Sequence, residues 1–203
     1  MTKDWLFYEN TALREGKRTV CGIDEAGRGP LAGPVFAAAV VLPPGLLIDG
    51  LDDSKKLSPQ KREELFGVIE AKAVACGIGF ATETEIDEIN ILQATFLAMK
   101  RAYLALGTEC DLALVDGNRM PELGLDTQTI IKGESLSASI AAASVLAKVS
   151  RDRLMREIDA VYPEYGFARH KGYGTALHIE LLKKYGPCPV HRKTFLKKIL
   201  GEG

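Results

Sequence analysis

Val20-Cys21-Gly22-Ile23-Asp24-Glu25-Ala26-Gly27-Arg28-Gly29-Pro30 is the stretch on which the reading of this chain turns. An apolar run, Thr19–Asp24 with its acid, reads as a strand. It stops at two adjacent carboxylates, followed by a turn whose arginine is flanked by glycines. Successive residues of an extended strand point to opposite faces of a sheet, so Asp24 and Glu25 cannot chelate one ion symmetrically. A metal site built on them needs acids from elsewhere in the chain.

Leu112-Ala113-Leu114-Val115-Asp116 is a second apolar run closed by an acid. If the two strands lie side by side, Asp24 and Asp116 share the sheet edge where α/β domains place their ligands. Glu134 follows the weaker strand Thr127–Ile131 in Lys132-Gly133-Glu134-Ser135 and opens an alanine-rich helix. Oxygen donors without cysteine or histidine select Mg²⁺ or Mn²⁺ over zinc. Four such acids can hold two ions about 4 Å apart, stabilising both the attacking and the leaving oxygen of a phosphoryl displacement. Taken alone, each acid also fits a turn or helix-cap role, Glu134 most of all. Gly27-Arg28-Gly29 fits a tight hairpin turn, or a backbone stripped of side chains so that a sugar-phosphate can approach.

Around these strands the chain alternates. Pro34–Leu42 and Gly77–Thr82 read as further strands, and Ser58–Cys76 as a helix capped by Ser58 with Pro59 at its first position. Ile86, Ile89, Leu92, Phe96, Met99, Tyr103 and Leu106 recur at helical spacing along one long apolar face. Ser137–Asp159 is a third helix, and Thr175–Tyr185 a fourth beyond a loop and before a Pro/His segment. Strands followed by alternating strands and helices imply a layered α/β domain with a mixed sheet. At 203 residues, 46% hydrophobic and 26% charged, the chain suits one globular domain with a modest appendage. No apolar stretch reaches membrane-spanning length and no secretory signal is read at the start, so a cytoplasmic protein is expected. Four widely spaced cysteines, none in a CxxC pair, fit reduced thiols there.

The net charge of −1 conceals an asymmetry. From Lys148 onward there are twelve bases against six acids, a net of +6, which leaves −7 on the rest. An acidic body with a basic last third suits a protein that holds metal with one part and a polyanion with another. The same pattern fits solvated charge on surface helices.

Several ordered motifs resemble bacterial ribonuclease HII, the type 2 ribonuclease H family, over nearly the whole chain. They are Gly22–Val35, Asp53-Ser54-Lys55-Lys56-Leu57-Ser58, Glu85–Leu92, Leu114-Val115-Asp116-Gly117, Ser137–Arg153, His170-Lys171-Gly172-Tyr173 and Pro189-Val190-His191-Arg192. The resemblance implies a ribonuclease H-like fold: a mixed five-stranded sheet flanked by helices, with residues 1–160 catalytic and residues 161–203 a helical extension completing the substrate site. It implies a monomeric, metal-dependent endoribonuclease serving DNA replication and repair. Its substrates would be RNA–DNA hybrids and duplex DNA containing ribonucleotides, cut to leave 3′-hydroxyl and 5′-phosphate ends.

The family's metal-binding acids map onto Asp24, Glu25 and Asp116. Its fourth falls at Glu134, where the family usually has aspartate, and the extra methylene adds about 1.5 Å of reach. By the same resemblance Gly27, Arg28 and Gly29 read the 2′-hydroxyl, the group that distinguishes RNA from DNA, and Tyr173 stacks on the next deoxyribose. Lys55 lies near the scissile phosphate. Lys148 and Arg151, three apart on one helix face, look like phosphate contacts. His170, His178 and His191 read as surface or hydrogen-bonded loop residues. Two other readings share the acids at strand ends: a resolvase- or integrase-type nuclease of the same fold, and a hybrid-binding protein whose catalysis Glu134 has broken. Neither needs the Gly27–Gly29 turn paired with Tyr173.

Overall fold

The computed structural model describes residues 4–201. Its centre is one five-stranded sheet of β1 (Val20–Ala26), β2 (Val35–Val41), β3 (Ala75–Ala81), β4 (Leu112–Asp116) and β5 (Thr127–Ile130), in the order β3-β2-β1-β4-β5. β1, β2 and β3 pair antiparallel, while β4 and β5 join β1 in parallel, so the sheet is mixed as expected. In chain order the α-helices are α1 (Phe7–Arg14), α2 (Pro59–Lys72), α3 (Glu83–Ala105), α4 (Ala138–Val161), α5 (Phe167–His170), α6 (Ala176–Tyr185) and α7 (Lys193–Leu200).

The period of two along each strand sorts the core into layers. Cys21, Ile23, Val35, Ala37, Ala39, Ala113 and Val115 face α3, where Ile86, Ala94, Ala98 and Met99 meet them. Ala38 and Val40 face the other way, onto α2 and the alanine-rich start of α4. Gly22 makes this second layer possible. A Cβ there would stand 2.2 Å from the main-chain carbon of Ser139, so only glycine lets α4 lie directly on β1. That contact brings the start of α4, and Glu134 just before it, to the edge where β1 and β4 carry their acids.

Three expectations need correcting. β1 does not end at Asp24: Asp24 and Glu25 keep their pairing with Ala38 and Ala37, and the strand runs on to Ala26. The long apolar face of α3 is not one unbroken helix, because Asn90 takes φ 66° and ψ 165°. Its side chain accepts hydrogen bonds from the N–H groups of Leu92 (3.0 Å) and Gln93 (3.2 Å), and so starts the second part afresh. Helices α1 and α7 were not foreseen at all, nor was the short α5 in the segment read as a loop. The N–H groups of Lys193 and Thr194 donate to Asp87 on α3, at 2.8 and 2.9 Å, so the cap of α7 comes from 106 residues away.

Candidate active site

Ile23 is in register with Val115, which sets Asp24 and Asp116 side by side one residue on. Asp24 is buried, and its Oδ1 accepts from the Glu25 N–H at 2.7 Å. Asp116 Oδ1 accepts from the Gly133 N–H at 2.6 Å, which ties the end of β4 to the 3₁₀ turn Gly133–Ser135 carrying Glu134. Glu134 is buried and its Oε2 meets no donor. Glu25, on the α3 face, leans toward Arg28 at 3.3 Å.

The electrostatics show what this cluster lacks. Burial, then the charges of Glu25 and Asp116, hold Asp24 well above the ordinary carboxyl range. Burial and contact with Glu134 push Asp116 up to about 7. Burial raises Glu25 too, against the pull of Arg28. Among the described residues no three His, Cys, Asp or Glu side chains stand close enough to form a finished metal cage. The carboxylates nevertheless have the chemistry of one: oxygen donors only, mutually repelling, with an orphaned oxygen where positive charge is wanted. They fit a hard divalent cation.

The cations nearby are sparse. Lys55 Nζ stands 3.7 Å from Glu134 Oε1 with 79% of its side chain exposed. Burial opposes its charge, but Glu134 and Asp24 prevail and raise its pKa. Beyond β1, Gly27 is buried while Arg28 and Gly29 are exposed. A methyl group added at Gly29 would lie 4.0 Å from the ring of Tyr173, itself 41% exposed, so turn and tyrosine border one surface. On the α3 side a cleft of about 350 Å³ opens between Glu25, Asp116, Arg28, Asn118, Arg119 and the Phe96 ring.

Residues 21–198 match the family profile described as Ribonuclease HII. The chain belongs to the ribonuclease HII family. A ribonuclease HII from Caldicellulosiruptor bescii is 57% identical over 192 residues, covering 95% of this chain and 93% of the relative. One from Acetivibrio thermocellus is 54% identical over 193 residues, covering 95% and 75%. The crystal structure of the ribonuclease H2 from Pyrococcus horikoshii superposes with a TM-score of 0.75 at 28% identity, covering 91% of this chain and 98% of that one. The protein is thus a ribonuclease H-fold endoribonuclease that hydrolyses RNA in RNA–DNA hybrids, in a family that depends on divalent metal. No helix among the described residues is long and apolar enough to cross a membrane.

For a ribonuclease HII, two of the expected phosphate contacts sit unexpectedly. Arg151 is wholly buried. Its guanidinium donates to the carbonyls of Pro34 (3.0 Å), Lys171 (3.0 Å) and Ala32 (3.1 Å), and its burial keeps the remaining N–H groups from a phosphate. Lys148 is half-buried and held by Asp152 at 2.6 Å. Of the two alternatives read for the three histidines, the hydrogen-bonded one holds and the surface one does not. His170, His178 and His191 are buried, with His178 and His191 joined Nε2 to Nε2 at 3.1 Å. Arg192, which closes the last of the family-like motifs and was given no role there, is buried under the Gly27–Gly33 turn.

Arg151→Ala is therefore expected to destabilise the fold by roughly 3–5 kcal/mol, since three carbonyls lose charged donors. It should leave unchanged the slope of log affinity against log salt for a hybrid. A phosphate contact would reduce that slope by about one. Urea unfolding beside salt-titrated binding separates the two, and a smaller slope at unaltered stability would restore Arg151 to the substrate surface.

Proposed function

We propose that Asp24, Glu25, Asp116 and Glu134 hold two divalent cations, Mg²⁺ or Mn²⁺. We propose further that Gly27, Arg28 and Gly29 act with Tyr173 to select a ribose–deoxyribose step. The observation that carries the first part is the buried excess of negative charge, with Glu134 Oε2 lacking any donor. When bound, such ions activate water and stabilise the attacking and leaving oxygens of an in-line displacement.

The chain's own groups do the remaining work. N–H groups of Glu25 and Gly133 orient Asp24 and Asp116. Lys55, exposed beside Glu134, is placed to meet a phosphate. Backbone donors of the turn can bond a 2′-hydroxyl because no side chain blocks Gly29. The Tyr173 ring beside them packs on a neighbouring sugar that lacks this hydroxyl. Residues 161–203 thereby complete the substrate site on the catalytic unit of residues 1–160, with Lys148 bordering the Tyr173 ring at 5.9 Å.

A duplex with one embedded ribonucleotide tests this reading. Cleavage is expected 5′ of the ribonucleotide with Mg²⁺ or Mn²⁺, leaving 3′-hydroxyl and 5′-phosphate ends, and none with chelator. All-DNA duplex should react at least roughly 10⁴-fold more slowly, because a site built to bond a hydroxyl is left with unpaired polar groups. Tyr173→Ala should reduce the rate ratio of junction to long hybrid about tenfold, whereas Tyr173→Phe keeps it, since the ring does the sensing. A ratio unmoved by Tyr173→Ala removes that residue from the site.

A further inference from the structure

Arg192 is buried completely, yet no carboxylate among the described residues lies within ion-pair distance of it. Its Nε donates to the Gly33 carbonyl at 2.8 Å, Nη1 to the Arg28 carbonyl at 2.9 Å, and Nη2 to the Gly27 carbonyl at 2.6 Å. One planar fork thus holds three carbonyls of the segment that carries the Gly-Arg-Gly turn, a geometry lysine cannot reproduce. Burial lowers its pKa to about 9, so it remains charged at neutral pH. A buried charge held by three peptide carbonyls and the face of the Phe195 ring, 5.2 Å away, with no ion-pair partner among the described residues, is costly. Its retention needs a reason beyond stability.

The peptide bonds supply one. Every bond in the described chain is trans. In a trans peptide the carbonyl and the following N–H point in opposite directions. Pulling the Gly27 and Arg28 carbonyls inward therefore turns the N–H groups of Arg28 and Gly29 outward. Neither of these N–H groups makes a hydrogen bond among the described residues, and both belong to exposed positions beside Tyr173. Arg151 backs the same turn: a Cβ on Gly27, whose φ is 97°, would stand 2.0 Å from Arg151 Nε. The rest of the C-terminal segment is stitched on by Gly33 N–H to the Val190 carbonyl (2.9 Å) and Arg192 N–H to the Leu31 carbonyl (2.9 Å).

We propose that Arg192 is a positioning residue for ribose recognition: by gripping the carbonyls of Gly27 and Arg28 from behind, it aims the N–H groups of Arg28 and Gly29 at the 2′-hydroxyl. Its charge, in line with those peptide dipoles, also strengthens the donors. The inference rests on the reading that this turn senses the ribose, and it assigns that sensing to a residue that never touches substrate. It also explains why the reader of the sugar is assembled from both ends of the chain.

The test is equilibrium binding in chelator, without turnover, of a duplex carrying one ribonucleotide and of the same duplex in all-DNA form. Two added donors should give the parent about a tenfold preference for the ribonucleotide. Arg192→Lys should bring the preference to within about twofold of unity while affinity for all-DNA duplex stays near the parent's. If Arg192→Lys keeps the preference, or if both affinities fall together, the proposal is overturned. Should Arg192→Lys fail to fold, Arg192→Ala with guanidinium ion added to the emptied pocket decides instead. Recovery of the preference with guanidinium supports the proposal, and recovery of folding without it refutes the proposal. Gly29→Ala separates the premise from the inference, since its methyl meets only an ordinary contact at the Tyr173 ring. Loss of preference in Gly29→Ala but not in Arg192→Lys sinks the inference alone, and retention in both sinks the ribose-sensing turn with it.

Discussion

Asp24→Asn and Asp116→Asn are expected to lower turnover by at least about 10³-fold while making the metal-free protein more stable. Each amide keeps the oxygen that orients it, toward the Glu25 N–H or the Gly133 N–H, so the local geometry survives. Each loses the negative charge that a cation would need. The gain in stability follows from the raised pKa values. Asp116 titrates near 7 in the folded chain against an ordinary value of 3.8, and Asp24 is displaced in the same direction. The folded state therefore binds more protons than the unfolded state between those values. Stability conferred by the protonated carboxyls is full below about pH 4 and is lost as pH rises through about 7. Metal-free parent should melt at a higher temperature at about pH 5 than at about pH 8, and the variants should flatten that difference. At the higher pH each variant should gain about 1–2 kcal/mol, which corresponds to roughly 2–8 °C. Calorimetry in chelator beside single-turnover rates at saturating Mg²⁺ tests both halves. Near-parental rates would remove these acids from the reaction.

Parts of this arrangement were open to reading in the residues and parts were closed. Leu112–Asp116 was legible to the residue because its apolar run stops at the acid that ends the strand. β1 was read two residues short because ladder pairing is a main-chain matter: Asp24 and Glu25 pair with Ala38 and Ala37 whatever their side chains do. Helix α7 was missed because its cap is Asp87, supplied by another helix. Its apolar residues Phe195, Leu196 and Ile199 carried a signal that could have found it. The basic residues of the last third were the least legible. Arg151 and Arg192 look in sequence like any surface base, and a pocket of carbonyls from residues 27–34 and from Lys171 makes them internal. Helix α1 acts at a distance in the same way. Glu9 accepts from the Ser137 and Ser139 hydroxyls at 2.6 and 2.7 Å, and so braces the start of α4 just beyond Glu134.

Glu134 separates a ligand from a helix cap, and the two roles predict opposite signs. The cap of α4 is Ser137, whose Oγ accepts from the Ile140 N–H at 3.2 Å, so Glu134 is free of that duty. Its Oε1 faces Lys55, and its orphaned Oε2 is buried in the cluster with Asp116. Glu134→Gln replaces one acceptor by an N–H₂ donor, which can serve the neighbouring carboxylate that now lacks one. The metal-free protein should therefore gain stability, by about 1 kcal/mol, while turnover falls roughly 10²-fold as a negative ligand is lost. A capping residue would show the reverse, with stability lost and activity kept. Glu134→Asp probes the length of the side chain. Mg²⁺ demands near-ideal octahedral geometry and Mn²⁺ tolerates irregular coordination. A glutamate that must fold back to its ion should give the parent an advantage with Mn²⁺, and the shorter acid should raise Mg²⁺-supported turnover and narrow that advantage. Shortening also withdraws the carboxylate from Lys55, so the gain should be smaller on substrates whose phosphate depends on that lysine. Rates of all three proteins with each metal, measured beside their melting temperatures in chelator, decide it. An unchanged Mn²⁺ to Mg²⁺ ratio in Glu134→Asp would mean that the extra methylene is absorbed by the 3₁₀ turn and has no bearing on the choice of metal.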